Sequence, residues 1–154
     1  MVSNNDILRR VRYIFDFGDD DMIGLFSSAD FVVTRSQVSE WLKKDEDPEK
    51  SDISDQYLAA FLNGLINVKR GKKEGPQPIP EKRLNNNLVL RKLKIALNLR
   101  DDDMIGIFKI AGIKISKPEL SAFFRKPGHQ KYRDCQDQYL RNFLKGLQIK
   151  FRSQ

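Results

Sequence analysis

The sequence predicts an all-α protein: a tandem duplication of a four-helix unit, with the two copies packed as a pseudo-twofold pair. Three observations carry this. Shifted by 82 residues, the chain aligns with itself without a gap, residues 4–70 against residues 86–152, with 24 identities in 67 pairs. Within each copy the apolar residues recur at helical spacing rather than in alternation. Between the copies lies GKKEGPQPIPEKRL, whose three prolines and two glycines mark an extended connection. The chain thus divides into repeat one (1–71), a linker (72–85) and repeat two (86–154).

The first helix of copy one has Ile7, Leu8, Val11, Ile14 and Phe15, and its twin has Val89, Leu90, Leu93, Ala96 and Leu97. The spacing i, i+1, i+4, i+7, i+8 is one helical face. Helix two follows the aspartates of the hexapeptide DDDMIG, which occurs at Asp19–Gly24 and again at Asp101–Gly106; Met22, Ile23 and Phe26 match Met104, Ile105 and Phe108. Helix three has the sharpest start. Thr34 with Gln37, and Ser116 with Glu119, form capping boxes. Pro118 falls in the first turn, where a missing N–H costs no intrahelical bond. Val38, Trp41 and Leu42 then match Leu120, Phe123 and Phe124. Helix four carries Tyr57, Leu58, Phe61, Leu62 and Leu65 against Tyr139, Leu140, Phe143, Leu144 and Leu147. Gly64 and Gly146 lie inside it, where they allow close helix contact. The apolar stretches FVV and GIKI before helix three are short enough to be tight connections. A unit of this size is near the lower limit for an independent core, so each copy is expected to bury its apolar remainder on the other.

Three adjacent aspartates, twice, suggest a metal or phosphoryl-transfer site, but a metal needs oxygens that converge. Neighbouring side chains on a helix diverge by roughly 100°. An EF-hand register fails as well: position five is Ile23 or Ile105, and position twelve of the second copy is Gly112. The expected role is structural, an aspartate capping the helix and its neighbours favouring the positive end of the dipole.

No run of 18 apolar residues exists, so no membrane partner is expected. The start MVSNNDILRR lacks the apolar core of a secretory signal, and the single Cys135 suits a reducing compartment; the cytoplasm is the expected location. Cys135 and His129 are the only residues of their kinds and make neither a closed zinc site nor an evident nucleophile–base pair. Ile53, opposite Cys135 in the repeat, points to an inert packing position. No phosphate-binding or dinucleotide glycine loop is present. No cofactor is expected.

Charge is divided unevenly. Copy one has 9 Lys and Arg against 13 Asp and Glu; copy two has 15 against 6. Opposite surfaces on one fold fit two halves that attract each other, or a second copy that meets an anionic polymer. Helix two, the turn AGIKIS and helix three of copy two loosely resemble a helix-turn-helix, with Lys114, Lys117, Arg125, Lys126, Lys131 and Arg133 around the second helix. Cations and helix-start amides suit phosphate contact. The turn is longer than usual, and Pro118 and Glu119 occupy the place of base-reading side chains, so non-specific or shape-based binding is expected over base readout.

The duplicated NN…LR…DD…G…FL.GL layout and the stretch ELSAFFRKPGHQKYRDCQDQYLRNFLKGL, Glu119 to Leu147, resemble the bacterial YehS-like family across essentially the whole chain. That family is of unknown function and consists of two copies of one helical domain. The resemblance implies a cytoplasmic bacterial protein and brings no catalytic residues with it. The expectation is a non-enzymatic binding module that contacts nucleic acid, or an acidic protein, through its basic second copy. The alternative is a protein-interaction adaptor using a groove between the copies.

Overall fold

The computed structural model describes residues 1–152, and every described regular element is a helix. Copy one forms α1 (Asn4–Phe15), α2 (Asp19–Ser28), α3 (Arg35–Leu42) and α4 (Asp55–Arg70). Copy two repeats them as α5 (Asn86–Ala96), α6 (Asp101–Ile110), α7 (Lys117–Ala122) and α8 (Asp137–Arg152). Among the described residues no helix is long and apolar enough to cross a membrane.

Stops as well as starts repeat. The first helix of each copy is followed within two residues by one in the left-handed region, Asp16 (φ 55°) and Asn98 (φ 53°). The second helix is followed by Asp30 (φ 63°) and Gly112 (φ 85°). Short polar residues and glycine tolerate this conformation and turn the chain out of the helix. Helix three is the exception to the pairing. The spacing predicts Phe123 and Phe124 within it, yet α7 stops at Ala122 and Phe123 caps it, so α7 has 6 residues where α3 has 8.

The helices α1, α4, α5 and α8 make the centre, and all run in the same direction. At their starts, the Asn4 side-chain amide donates to Asp55 Oδ1 (2.7 Å), and that of Asn86 to Asp137 Oδ1 (2.7 Å). Leu84 N–H reaches Asp55 Oδ2 (2.8 Å), and Val2 N–H reaches Asn86 Oδ1 (3.2 Å). At their ends, the rings of Phe15 and Phe151 lie 5.5 Å apart, and Arg70 bonds Asn98 Oδ1 (2.8 Å). Arg152 sits 3.5 Å from Asp16. The principal contacts pair α4 with α5 and α1 with α8, across the copies, in the twofold-related way the duplication predicts.

A parallel neighbour requires a return path, and the linker supplies it. α4 is 16 residues, about 24 Å, which the extended linker spans comfortably. It is tied down rather than loose. Asn67 donates to Gln77 Oε1 (2.8 Å), and Pro80 and Leu84 are buried. The buried Lys92 ammonium is held by Glu81 (2.9 Å) and Asn63 Oδ1 (2.7 Å), so its charge is neutralised where α4, α5 and the linker meet.

One continuous core runs through both copies. Phe26, Phe61, Phe108 and Phe143 are fully buried, with Phe26 and Phe61 5.4 Å apart and Phe108 and Phe143 5.2 Å apart. α2 crosses α4, and α6 crosses α8, over Gly64 and Gly146, close enough that neither position has room for a side chain.

Candidate functional site

The repeated aspartates occupy the first three positions of α2 and α6, and the caps themselves are Gly18 and Arg100. This corrects the expectation of an aspartate at the cap. The third aspartate does the corresponding work from inside: Asp21 Oδ2 accepts Gly18 N–H (2.8 Å), and Asp103 Oδ2 accepts Arg100 N–H (2.8 Å). The others turn to cations. Asp19 and Asp20 pair with Arg35, Asp101 lies 3.7 Å from Lys94, and Asp102 lies 3.4 Å from Lys117. Among the described residues no three His, Cys, Asp or Glu side chains converge as metal ligands.

His129 is exposed, its Nδ1 accepting Lys131 N–H (3.0 Å), whereas Cys135 is buried. Burial, and then the charge of Asp137, push the Cys135 thiol up to about 12, so it remains a neutral packing group at physiological pH.

The loops after α3 and α7 are held by a device that the repeat pattern alone does not interpret. Asn5 donates to the carbonyls of Trp41 (2.9 Å) and Ser51 (2.8 Å) and accepts Ile53 N–H (3.2 Å). Asn87 does the same for Phe123 (3.0 Å), Arg133 (2.8 Å) and Cys135 N–H (2.9 Å). The clue was a polar residue, the same in both copies, buried on an otherwise apolar helical face.

In copy two this anchored loop forms one wall of an open pocket of about 820 Å³. α7 and the first turn of α8 make the others. Lys117, Arg125, Lys131 and Arg133 line it, so four of the six cations singled out in the sequence meet here; Lys114 and Lys126 lie outside. All six are exposed. Lys117 is engaged with Asp102, as Arg35 is with Asp19 and Asp20 at the matching place in copy one. Two carboxylates, Glu119 and Asp134, share the lining with Ser121, Gln130, Gln136 and Tyr139.

The start of α7 offers a phosphate less than the sequence implies. Ser116 Oγ accepts Glu119 N–H (3.2 Å), and Glu119 Oε1 accepts Ser116 N–H (3.1 Å). Hydrogen bonding from the Ser116 side chain, and then from its backbone N–H, holds the Glu119 carboxyl below the usual range, so a negative charge already occupies the helix start. With α7 at 6 residues, less than two turns, the helix-turn-helix likeness goes no further. The cationic side chains, not the helix start, are what the pocket presents to an anion.

The matching loop of copy one has the opposite chemistry. Residues 43–54 hold five acidic and three basic side chains; residues 125–136 hold four basic and one acidic. Copy one also pairs its charges internally: Lys43 with Glu49 (3.9 Å), and Lys50 with Asp45 (3.5 Å) and Asp52 (3.0 Å). Arg9 reaches Asp45 as well (3.2 Å).

A second, shallower hollow of about 430 Å³ lies between the copies where the central helices end, lined by Phe15, Lys69, Leu97, Asn98 and Phe151 among others. Its cations are committed. Lys69 lies over the Phe15 ring (4.6 Å to the centroid), and Arg70 bonds Asn98 and the Ile95 carbonyl. Helix C-termini favour such cations, which ties them to the fold.

Compared with known proteins, the chain matches the family model described as "Protein of unknown function (DUF1456)" twice, over residues 4–71 and 86–153. It is 43% identical over 145 residues, 94% of this chain and 93% of the relative, to "Uncharacterized protein YehS" of Escherichia coli (strain K12). No solved structure matches.

Proposed function

The chain belongs to the DUF1456 family of proteins of unknown function, and from that premise we propose that it is a non-enzymatic binding module whose second copy docks nucleic acid in its basic pocket. One observation carries this reading. Lys117, Arg125, Lys131 and Arg133 line a single open pocket of copy two, while the same loop in copy one is acidic, with Lys43 and Lys50 paired to its carboxylates. One scaffold with a loop of inverted charge suits a dedicated anion-docking face better than it suits general solubility. Phosphate contacts by such cations release counterions, so binding weakens steeply with salt.

The test replaces Arg125, Lys131 and Arg133 together by alanine. All three side chains are exposed, so the melting temperature stays unchanged. The slope of log K against log salt falls by roughly 0.9 for each phosphate no longer neutralised on B-DNA, or about 0.7 on a single strand. Lys126→Ala, outside the pocket, serves as the control and changes binding little. Absence of wild-type binding at about 50 mM salt overturns the reading.

A protein-interaction adaptor is the second reading. It is favoured by the hollow between the copies, where the Phe151 ring is exposed. Binding there is mainly apolar and survives salt that abolishes phosphate contacts.

A further inference from the structure

Resting on that reading, we infer that the pocket takes a single strand of nucleic acid rather than a duplex, with one base laid against Tyr139 and the flanking phosphates on Arg125, Lys131 and Arg133. Shape comes first. A duplex is convex and keeps its bases stacked inside, so it meets a concave pocket only at the rim. An unstacked nucleotide of a single strand enters a pocket of about 820 Å³.

The lining then matches a base as well as a backbone. Tyr139 is half-buried and held in place by ring contacts, tilted on Phe123 (5.5 Å between centroids) and edge-on to Phe108 (6.4 Å). A fixed aromatic ring is the usual platform for an unpaired base. In copy one the corresponding Tyr57 is packed by Phe31 (5.3 Å) and Trp41 (5.6 Å). Copy two has Ile113 and Phe123 at those places, a branched aliphatic residue and a smaller ring, which removes aromatic surface from around the tyrosine. Glu119 and Asp134 make a poor track for phosphate alone, since they repel it. They suit base edges, whose N–H groups they accept, and Gln130 and Gln136 add amides that both donate and accept.

The test is fluorescence anisotropy with the full chain. The probes are a labelled oligothymidylate of about 12 nucleotides, within the usual footprint, a duplex of equal length, and inorganic polyphosphate as an anion without bases. The single strand binds at least about tenfold tighter than the duplex. Tyr139→Leu weakens the single strand by roughly tenfold, the order of one base–aromatic stack, and leaves duplex and polyphosphate unchanged. Tyr139→Phe keeps the wild-type affinity. Should Tyr139→Leu fail to fold, the double substitution Gln130→Ala and Gln136→Ala, at exposed positions, narrows the preference for the single strand over polyphosphate. Equal affinity for all three probes overturns the single-strand inference and leaves the anion-docking face standing. So does a folded Tyr139→Leu protein with unchanged single-strand binding. No binding of any probe overturns both.

Discussion

A Cβ built on Gly64 sits 1.9 Å from the Leu25 carbonyl oxygen, and one on Gly146 sits 2.3 Å from that of Ile107. Both obstacles are backbone, so a methyl group at either position forces two helices apart. Gly24 and Gly106, the glycines of the repeated hexapeptide, have nothing within 4 Å. The same residue type therefore has opposite consequences at two pairs of sites. Gly64→Ala and Gly146→Ala each cost about 1–3 kcal/mol, the scale of overpacking, whereas Gly24→Ala and Gly106→Ala each add about 0.5–1 kcal/mol by favouring the helix. Urea denaturation of the four variants measures both signs. The sequence places Gly64 and Gly146 in close contacts because they interrupt an apolar helix. It is silent on the space around Gly24, since spacing records periodicity and not what lies across a gap. The pocket residues were partly legible in the same way: Arg125, Lys131 and Arg133 stand out as charge, but their convergence depends on a loop whose path Asn87 determines.

At the scale of elements, the starts of helix three could be read because their signals are local: Thr34 with Gln37, and Ser116 with Glu119. Direction could not. The stripe on α4 is the same whether α5 runs beside it up or down, and only the tied linker makes them parallel. Nor does periodicity interpret the asparagines. Asn5→Ala or Asn87→Ala leaves three backbone groups, buried or partly so, without their side-chain partner, at roughly 2–3 kcal/mol for each variant. Hydrogen exchange shows the local effect. The Cys135 amide, bonded to Asn87 Oδ1, exchanges faster in Asn87→Ala while amides in the middle of α4 keep their protection relative to global unfolding. The same variant loosens the pocket wall and weakens anion binding. Unchanged Cys135 exchange would mean that the loop is held by its other contacts.

For the whole molecule, the charge asymmetry was legible by counting, but its meaning is divided. Some of copy two's cations stand in the last turns of parallel helices, where Lys94, Lys150 and Arg152, with Lys69 and Arg70 from copy one, offset the aligned dipoles of α4, α5 and α8. That share belongs to the architecture, and the loop of residues 125–136 carries the share open to a ligand. The central pairs also join the copies more firmly than the linker does. Cleavage at Lys72 or Lys73, both exposed, leaves two fragments that co-elute and melt together, with a melting temperature that now depends on concentration. Separation of the fragments without denaturant would contradict the cross-copy packing. The partnership of α1 with α8 bears on how the chain is made. About 120 residues separate the end of α1 from the start of α8, and at ordinary translation speeds of about 5–20 residues per second the interval is roughly 6–25 s. Throughout it the part of the α1 apolar face that packs on α8 waits for its partner, while α3 and α4 already cover the rest.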